Sequence, residues 1–209
     1  MPKAIAGPDG QLRCNWCIVT PEYVHYHDTE WGFPVTDDQR LFEKICLEGF
    51  QSGLSWRTIL TKREDFRRVF LDFDYNRVAQ FTEKDVERLL QDASIIRHRG
   101  KIEATINNAK RAQEMIMSEG SIAAYFWSFE PNEASLPAPQ TISTSPKSMA
   151  ISKDLKKRGW KFVGPTTVFA FMQAMGLIND HLENCITGKE VARARKTFNR
   201  PDKRLGDKF

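Results

Sequence analysis

The chain has 209 residues, 41% of them hydrophobic and 28% charged, with a formal net charge of +4. Such a length and composition fit one ordinary globular domain with ample core, and exclude a disordered, collagenous or low-complexity chain. No apolar run reaches the length of a membrane span, and four cysteines without an apolar leader predict metal binding in a reducing cytosol rather than a disulfide scaffold.

In chain order, the first motif is Arg13-Cys14-Asn15-Trp16-Cys17, whose C-x-x-C spacing belongs to zinc sites and redox couples alike. His25, Tyr26, His27 and Trp31 follow; Trp31 and the later Trp56 are aromatic candidates for stacking that read by themselves as core. Thr36-Asp37-Asp38-Gln39 is a capping box ahead of Leu41, Phe42, Ile45 and Cys46 on one helical face, so a helix is predicted to begin near Thr36, with Cys46 as a buried thiol. Glu48 lies on the apolar side of that helix's end, where burial demands a partner. Gly53 and Leu54 then fall on a turn. A second helix starts at Thr82, with a cap in front of Val86, Leu89 and Leu90; a third spans Arg99 to Met117, with Ile102, Ile106, Ala109 and Ile116 at helical spacing. Arg97, Arg99 and Lys101 at its start either meet phosphates or decorate a solvated turn. No hairpin or alternating strand is predicted, and Pro131 to Ser148, rich in Pro, Ser and Thr, reads as a loop.

The stretch "SKDLKKRGWKFVGPTTVFAFMQAMG" predicts a basic amphipathic helix, a turn bracketed by Gly159 and Gly164, and a second helix with Pro165 in its first turn. This is a helix-hairpin-helix pattern, in which free amides beside Lys156, Lys157, Arg158 and Lys161 make a phosphate site. From the pattern alone, a plain antiparallel helix pair reads equally well. His181 and Cys185 are four apart and share a helical face, so both can reach one ion. A four-ligand site then needs two of Cys14, Cys17, His25 and His27, and by spacing alone Cys14 with Cys17 is the better pair. Between Gly188 and Phe209 eight Lys or Arg meet three Asp or Glu. This basic tail reads as a solvated, poorly ordered terminus rather than as a dedicated nucleic-acid arm, the other reading its charge allows.

The stretches "RCNWC", "YHDTEWGFP", "LFEKICLEGFQSGLSW", "IIRHRGKI", "LKKRGWKFVGPT" and "FMQAMGLINDH", in order from Arg13 to Cys185, resemble the 3-methyladenine DNA glycosylase I family of the helix-hairpin-helix glycosylase superfamily. The resemblance implies an all-α glycosylase domain over 13–187, with residues 1–12 as an extension and 188–209 as the basic tail. It implies one structural zinc ion on Cys14, His27, His181 and Cys185, joining N- and C-terminal segments and setting the C-x-x-C pair aside. It further implies a base pocket lined by Trp16, Tyr26, Glu48 and Trp56, in which Glu48 and Tyr26 bond the adenine edge and Glu48 is the catalytic candidate. Leu54, after Gly53, is the expected wedge into the duplex, and Lys161, Gly164, Thr166 and Thr167 the expected hairpin contacts to DNA backbone.

The partner so implied is double-stranded DNA containing 3-methyladenine, acted on by a monomer in the cytoplasm, at the nucleoid. The reaction is hydrolysis of the N-glycosidic bond of a flipped base, leaving an abasic site and an uncut backbone. Residue chemistry agrees with this picture, since a flipped base needs aromatic faces and polar groups on its edges. A 3-alkylated adenine is cationic and already a good leaving group, and no lysine is placed by the sequence to form an imine. Asp180 is the nearest equivalent of the aspartate that many members of the superfamily carry after the hairpin, but it directly precedes His181.

Overall fold

The computed structural model describes residues 2–202. Among them, the only sheet is a short antiparallel pair, β1 (Ile5–Ala6) with β2 (Leu12–Arg13), in register Ile5 to Arg13 and Ala6 to Leu12. All other regular structure is helical: α1 (Pro21–Thr29), α2 (Asp38–Gln51), α3 (Trp56–Leu60), α4 (Arg63–Val69), α5 (Tyr75–Val78), α6 (Glu83–Gln91), α7 (Arg99–Glu119), α8 (Ile122–Trp127), α9 (Pro146–Lys157), α10 (Pro165–Ala174) and α11 (Ile186–Thr197). None of these helices is long and apolar enough to cross a membrane.

Helix α2 is the central element. Every residue from Leu41 to Phe50 is buried, and the helix packs against α3, α7, α8 and α10. Its cap is Asp37 rather than Thr36: the Asp37 carboxylate accepts from the Arg40 amide at 2.8 Å, satisfying a first-turn donor that has no partner within the helix. The predicted start at Thr82 holds, with reciprocal Thr82 and Asp85 bonds forming a capping box. The Pro131 loop ends sooner than composition suggests, because Ser145 and Ser148 cap each other and Pro146 opens α9.

Two expectations are corrected. The N-terminal segment carries the β pair where no strand is predicted, tied down by Arg13, which bonds Asp9 and Asp28. The basic C-terminal stretch, expected to be a poorly ordered terminus, instead forms α11 as far as Thr197. Thr187, Val191 and Arg195, at spacings of four, are its buried residues. Arg195 donates to the Gly176 carbonyl and pairs with Glu130 at 2.7 Å, and Arg200 joins the same carboxylate at 2.9 Å. The stretch's part beyond residue 202 lies outside the described residues.

The hairpin lies between α9 and α10, which pack together, with α10 in turn against α2. Gly159 sits at φ +84, a left-handed conformation natural to glycine. Helix α7 clasps the turn: Asn108 both donates to the Lys161 carbonyl and accepts from its amide, each at 2.9 Å, and Asn107 donates to the Gly159 carbonyl at 2.8 Å. Ser152 adds a bond to the Val163 carbonyl at 2.6 Å. These bonds clasp the turn from beneath while Phe162, at φ +56, stays 38% exposed.

Candidate active site

A cleft of about 340 Å³ opens where α1, α2, α3 and α10 meet the returning Pro131 loop. Its walls include Trp16, Tyr23, Tyr26, Trp31 and Trp56, with Glu48, Gln140 and Gln173 among its polar groups. A second cavity of about 390 Å³ adjoins it, sharing Glu48, Gln51, Thr166 and Ala170 and bordered also by Gly53, Leu54 and Thr167. All four residues expected in a base pocket, Trp16, Tyr26, Glu48 and Trp56, therefore line one cleft, although they come from three separate stretches of sequence. Trp31, read as core, lines it too.

Glu48 is 5% exposed, and its partner is one the sequence reading missed. Lys44, one turn earlier on α2 and equally buried, places Nζ 2.8 Å from Glu48 Oε1, donates to the Tyr26 hydroxyl oxygen at 2.9 Å and sits 3.2 Å from the centroid of the Trp56 ring. Burial pushes the Lys44 amine below its ordinary pKa, opposed by the Glu48 charge, while burial and the same carboxylate push the Tyr26 phenol up. The signal was present as a Lys/Glu pair at i,i+4 in an apolar helix; the face it occupies depends on neighbours that only the fold supplies. Lys44 does not border the cleft itself but a small cavity behind it, which Tyr26 and Trp56 also border. The Trp56 indole N–H is buried with no hydrogen-bond partner.

The Pro131 loop contributes Gln140, Ile142 and Ser143 to the cleft, none of them foreseen. Asp180, the alternative catalytic carboxylate, stands outside the lining and supports it: it accepts from Gln173 Nε2 at 2.6 Å and from the Gln140 amide at 3.1 Å. Burial raises its pKa.

Three of the four expected metal ligands converge: the ligand atoms of Cys14, His27 and Cys185 lie within 4.8 Å of one another, all buried. The His181 ring packs 4.9 Å from that of His27, and its buried Nε2 has no hydrogen-bond partner. Each imidazole has its Nδ1 beside an oxygen, Asp28 Oδ1 at 2.7 Å for His27 and Asn179 Oδ1 at 2.9 Å for His181, the arrangement that leaves Nε2 as a lone-pair donor. Gln140 Nε2 at 3.1 Å and the Leu182 amide at 3.4 Å donate to Cys14 Sγ. Close packing leaves His181 little freedom: a Cβ on Gly32 would come within 2.7 Å of its ring. Two thiols, an imidazole and, beside them, the orphaned His181 nitrogen are a donor set whose chemistry fits zinc. Of the alternatives, Cys17 is buried with its thiol on the Cys14 carbonyl at 3.1 Å, and His25 is exposed. The cluster also braces the cleft, since Trp16 and Trp31 pack on His27 and Trp31 packs on His181.

Of the expected DNA contacts, Gly53, Leu54, Thr166 and Thr167 border the cavity that adjoins the cleft, and Lys161 and Gly164 line neither cavity. Gly53, at φ +82 with open space around it, precedes Leu54, which is 41% exposed. Lys101 does not reach for phosphate: it is 7% exposed and donates to the Phe50 and Ser52 carbonyls at 2.8 and 2.6 Å, closing the end of α2 under this turn. Arg99 is occupied by Glu83, Glu87 and Glu103, whereas Arg97 and Lys161 are exposed. Gly164 is the N-cap of α10 and offers no side-chain bond to its first turn. A Cβ there would meet only Thr167 Oγ1, at 4.0 Å, so the protein itself does not require glycine at this position.

Comparison with known proteins places this geometry. The family described as methyladenine glycosylase matches residues 16–188. The chain is 51% identical over 177 residues to DNA-3-methyladenine glycosylase 1 of Escherichia coli, covering 83% of this chain and 95% of that protein. It is 46% identical over 177 residues to DNA-3-methyladenine glycosylase of Haemophilus influenzae, covering 83% and 96%. A crystal structure of a variant of 3-methyladenine DNA glycosylase I in complex with 3-methyladenine superposes with a TM-score of 0.79 at 37% identity, over 84% of this chain and 97% of that one.

Proposed function

The chain belongs to the methyladenine glycosylase family, and on that premise we propose how its residues divide the work of hydrolysing the bond between 3-methyladenine and deoxyribose in DNA. The observation that carries the reading is the single cleft in which Trp16, Tyr26 and Trp56 surround the buried Glu48, beside the exposed Leu54 turn. The base leaves the duplex, stacks between aromatic faces, and meets Glu48 and Tyr26 along its polar edge. Leu54 fills the vacated stack, and the first-turn amides of α10, with Lys161, Gly164, Thr166 and Thr167 around them, hold phosphate without reading sequence. The helix-hairpin-helix reading of α9 and α10 rests on this role.

The chemistry asked of the protein is modest. The alkylated base is a cation in the nucleoside and departs neutral, while positive charge develops on the sugar. A preorganised carboxylate beside the departing base favours that transition state, and water completes the hydrolysis at the sugar carbon. Lys44 is held by three partners and borders the cavity behind the cleft rather than the cleft itself, an unsuitable position for imine formation, so the backbone stays uncut. Cys14, His27, His181 and Cys185 would hold a zinc ion, whose contribution is a cross-link between the N-terminal segment and the start of α11 rather than any step of the reaction.

The test is release of base from methylated duplex DNA, analysed by chromatography. Free 3-methyladenine with an unbroken, alkali-labile strand supports the assignment, and strand scission without alkali, or no free base, refutes it.

A further inference from the structure

Lys44 does more at this site than balance a charge. An ammonium has protons to give and no lone pair to accept with, and here its three directions go to Glu48 Oε1, the Tyr26 oxygen and the Trp56 face. Two consequences follow. Because the Tyr26 oxygen accepts from Lys44, the Tyr26 proton must point away from the ammonium. Because Lys44 takes one carboxylate oxygen, the other is left as an acceptor. Tyr26 and Glu48 both line the cleft, and Lys44 does not. Free of that lysine, the hydroxyl could turn its proton onto the carboxylate, and the two groups would satisfy each other instead of a ligand.

We infer that Lys44 is a positioning and specificity-determining residue, which holds Tyr26 as a hydrogen-bond donor and Glu48 as an acceptor toward the cleft. The inference rests on the reading of this cleft as the base pocket. A donor beside an acceptor complements adenine, whose amino group donates next to a ring nitrogen that accepts. It opposes the O6/N7 edge of guanine, where both groups accept and an oxygen would be set against the carboxylate. Lys44 engages one Glu48 oxygen, so the hydrogen-bond pattern that the pair presents to the cleft, together with its shape, helps decide which alkylated purine is retained.

A double-mutant cycle between Lys44→Met and Tyr26→Phe tests this, with kcat/KM for 3-methyladenine release and the ratio of 3-methyladenine to 3-methylguanine released as readouts. In the native background Tyr26→Phe is expected to cost up to about tenfold, the loss of one neutral hydrogen bond. In the Lys44→Met background it should cost about twofold or less, and the purine ratio should fall several-fold in Lys44→Met alone. A merely structural lysine would lower activity in both backgrounds by the same factor and leave the purine ratio unchanged, which would overturn the inference while the pocket reading stands. If Tyr26→Phe is silent in the native background, the pocket reading fails and the inference falls with it. Should Lys44→Met not fold, Lys44→Gln carries the same cycle: an amide, unlike an ammonium, can accept from the Tyr26 hydroxyl as well as donate to it, so it no longer fixes the Tyr26 proton, and the same two outcomes decide.

Discussion

Replacing Glu48 by glutamine separates chemistry from folding in a way the structure makes quantitative. Glutamine keeps the shape and one carbonyl acceptor, but it offers no negative charge to a cationic base or to the sugar as charge develops there. Loss of a charge-assisted hydrogen bond costs about 1.5–3 kcal/mol, or roughly ten- to a hundredfold in excision rate if it is felt fully in the transition state. The fold pays as well. Lys44 and Glu48 have side chains only 6% and 4% exposed, and removing one member of such a buried pair costs about 3–5 kcal/mol against a total stability of about 5–15 kcal/mol. At about 2–4 °C per kcal/mol for a chain of this size, the melting temperature should drop by roughly 6–20 °C. The lower end is favoured, because the glutamine carbonyl can still accept from Lys44. The assay pairs calorimetry with single-turnover release of 3-methyladenine for Glu48→Gln and for the double variant Lys44→Met/Glu48→Gln. The double variant should regain much of the lost melting temperature, since no buried charge is left unpaired, but none of the lost excision. Native excision by a folded Glu48→Gln protein would refute the recognition role. A double variant no more stable than Glu48→Gln would refute the buried-pair account.

Three further outcomes follow from the same geometry. Purified protein should contain one zinc ion, lost in Cys14→Ala and retained in Cys17→Ala by elemental analysis, and chelation should lower the melting temperature before it affects residual chemistry; the reverse pattern of zinc loss would reassign the ligands. Gly164→Val should fold normally, because a Cβ there meets only Thr167 Oγ1 at 4.0 Å, yet bind every duplex about equally more weakly in a filter or anisotropy assay; unchanged affinity would remove the hairpin from the interface. Leu54→Ala, at a position 41% exposed, should leave stability and free-base binding alone while slowing excision from duplex DNA, and equal slowing on single-stranded substrate would contradict its role as a wedge.

What could be read from the sequence was local. The Thr82 and Asp85 capping box, Pro165 at the start of α10 and Gly159 at positive φ are each dictated by backbone chemistry within a few residues, and each stands where the pattern put it. The resemblance then named pocket residues from distant stretches, and the fold places Trp16, Tyr26, Glu48 and Trp56 around one cleft. What was hidden depends on contacts across the chain. Lys44 reads as an ordinary charged helix residue until Tyr26, eighteen positions earlier, and Trp56 close over it. Asn107 and Asn108 become the clasp of the hairpin only because residues more than fifty positions later return to α7. Basic composition suggested a solvated C-terminal stretch, yet a stripe of Thr187, Val191 and Arg195 at spacings of four is enough to dock α11. Charge content describes the exposed face of such a helix and says little about the face that packs.

An alkylated adenine seated in the cleft against Glu48 and Tyr26 should be visible in a crystal structure of the protein soaked with free 3-methyladenine. The base should be found stacked among Trp16, Tyr26 and Trp56, with its amino group within hydrogen-bond distance of the Glu48 carboxylate and a ring nitrogen facing the Tyr26 hydroxyl. A base bound elsewhere, or a cleft that stays free of it at saturating concentration while excision proceeds, would contradict the assignment.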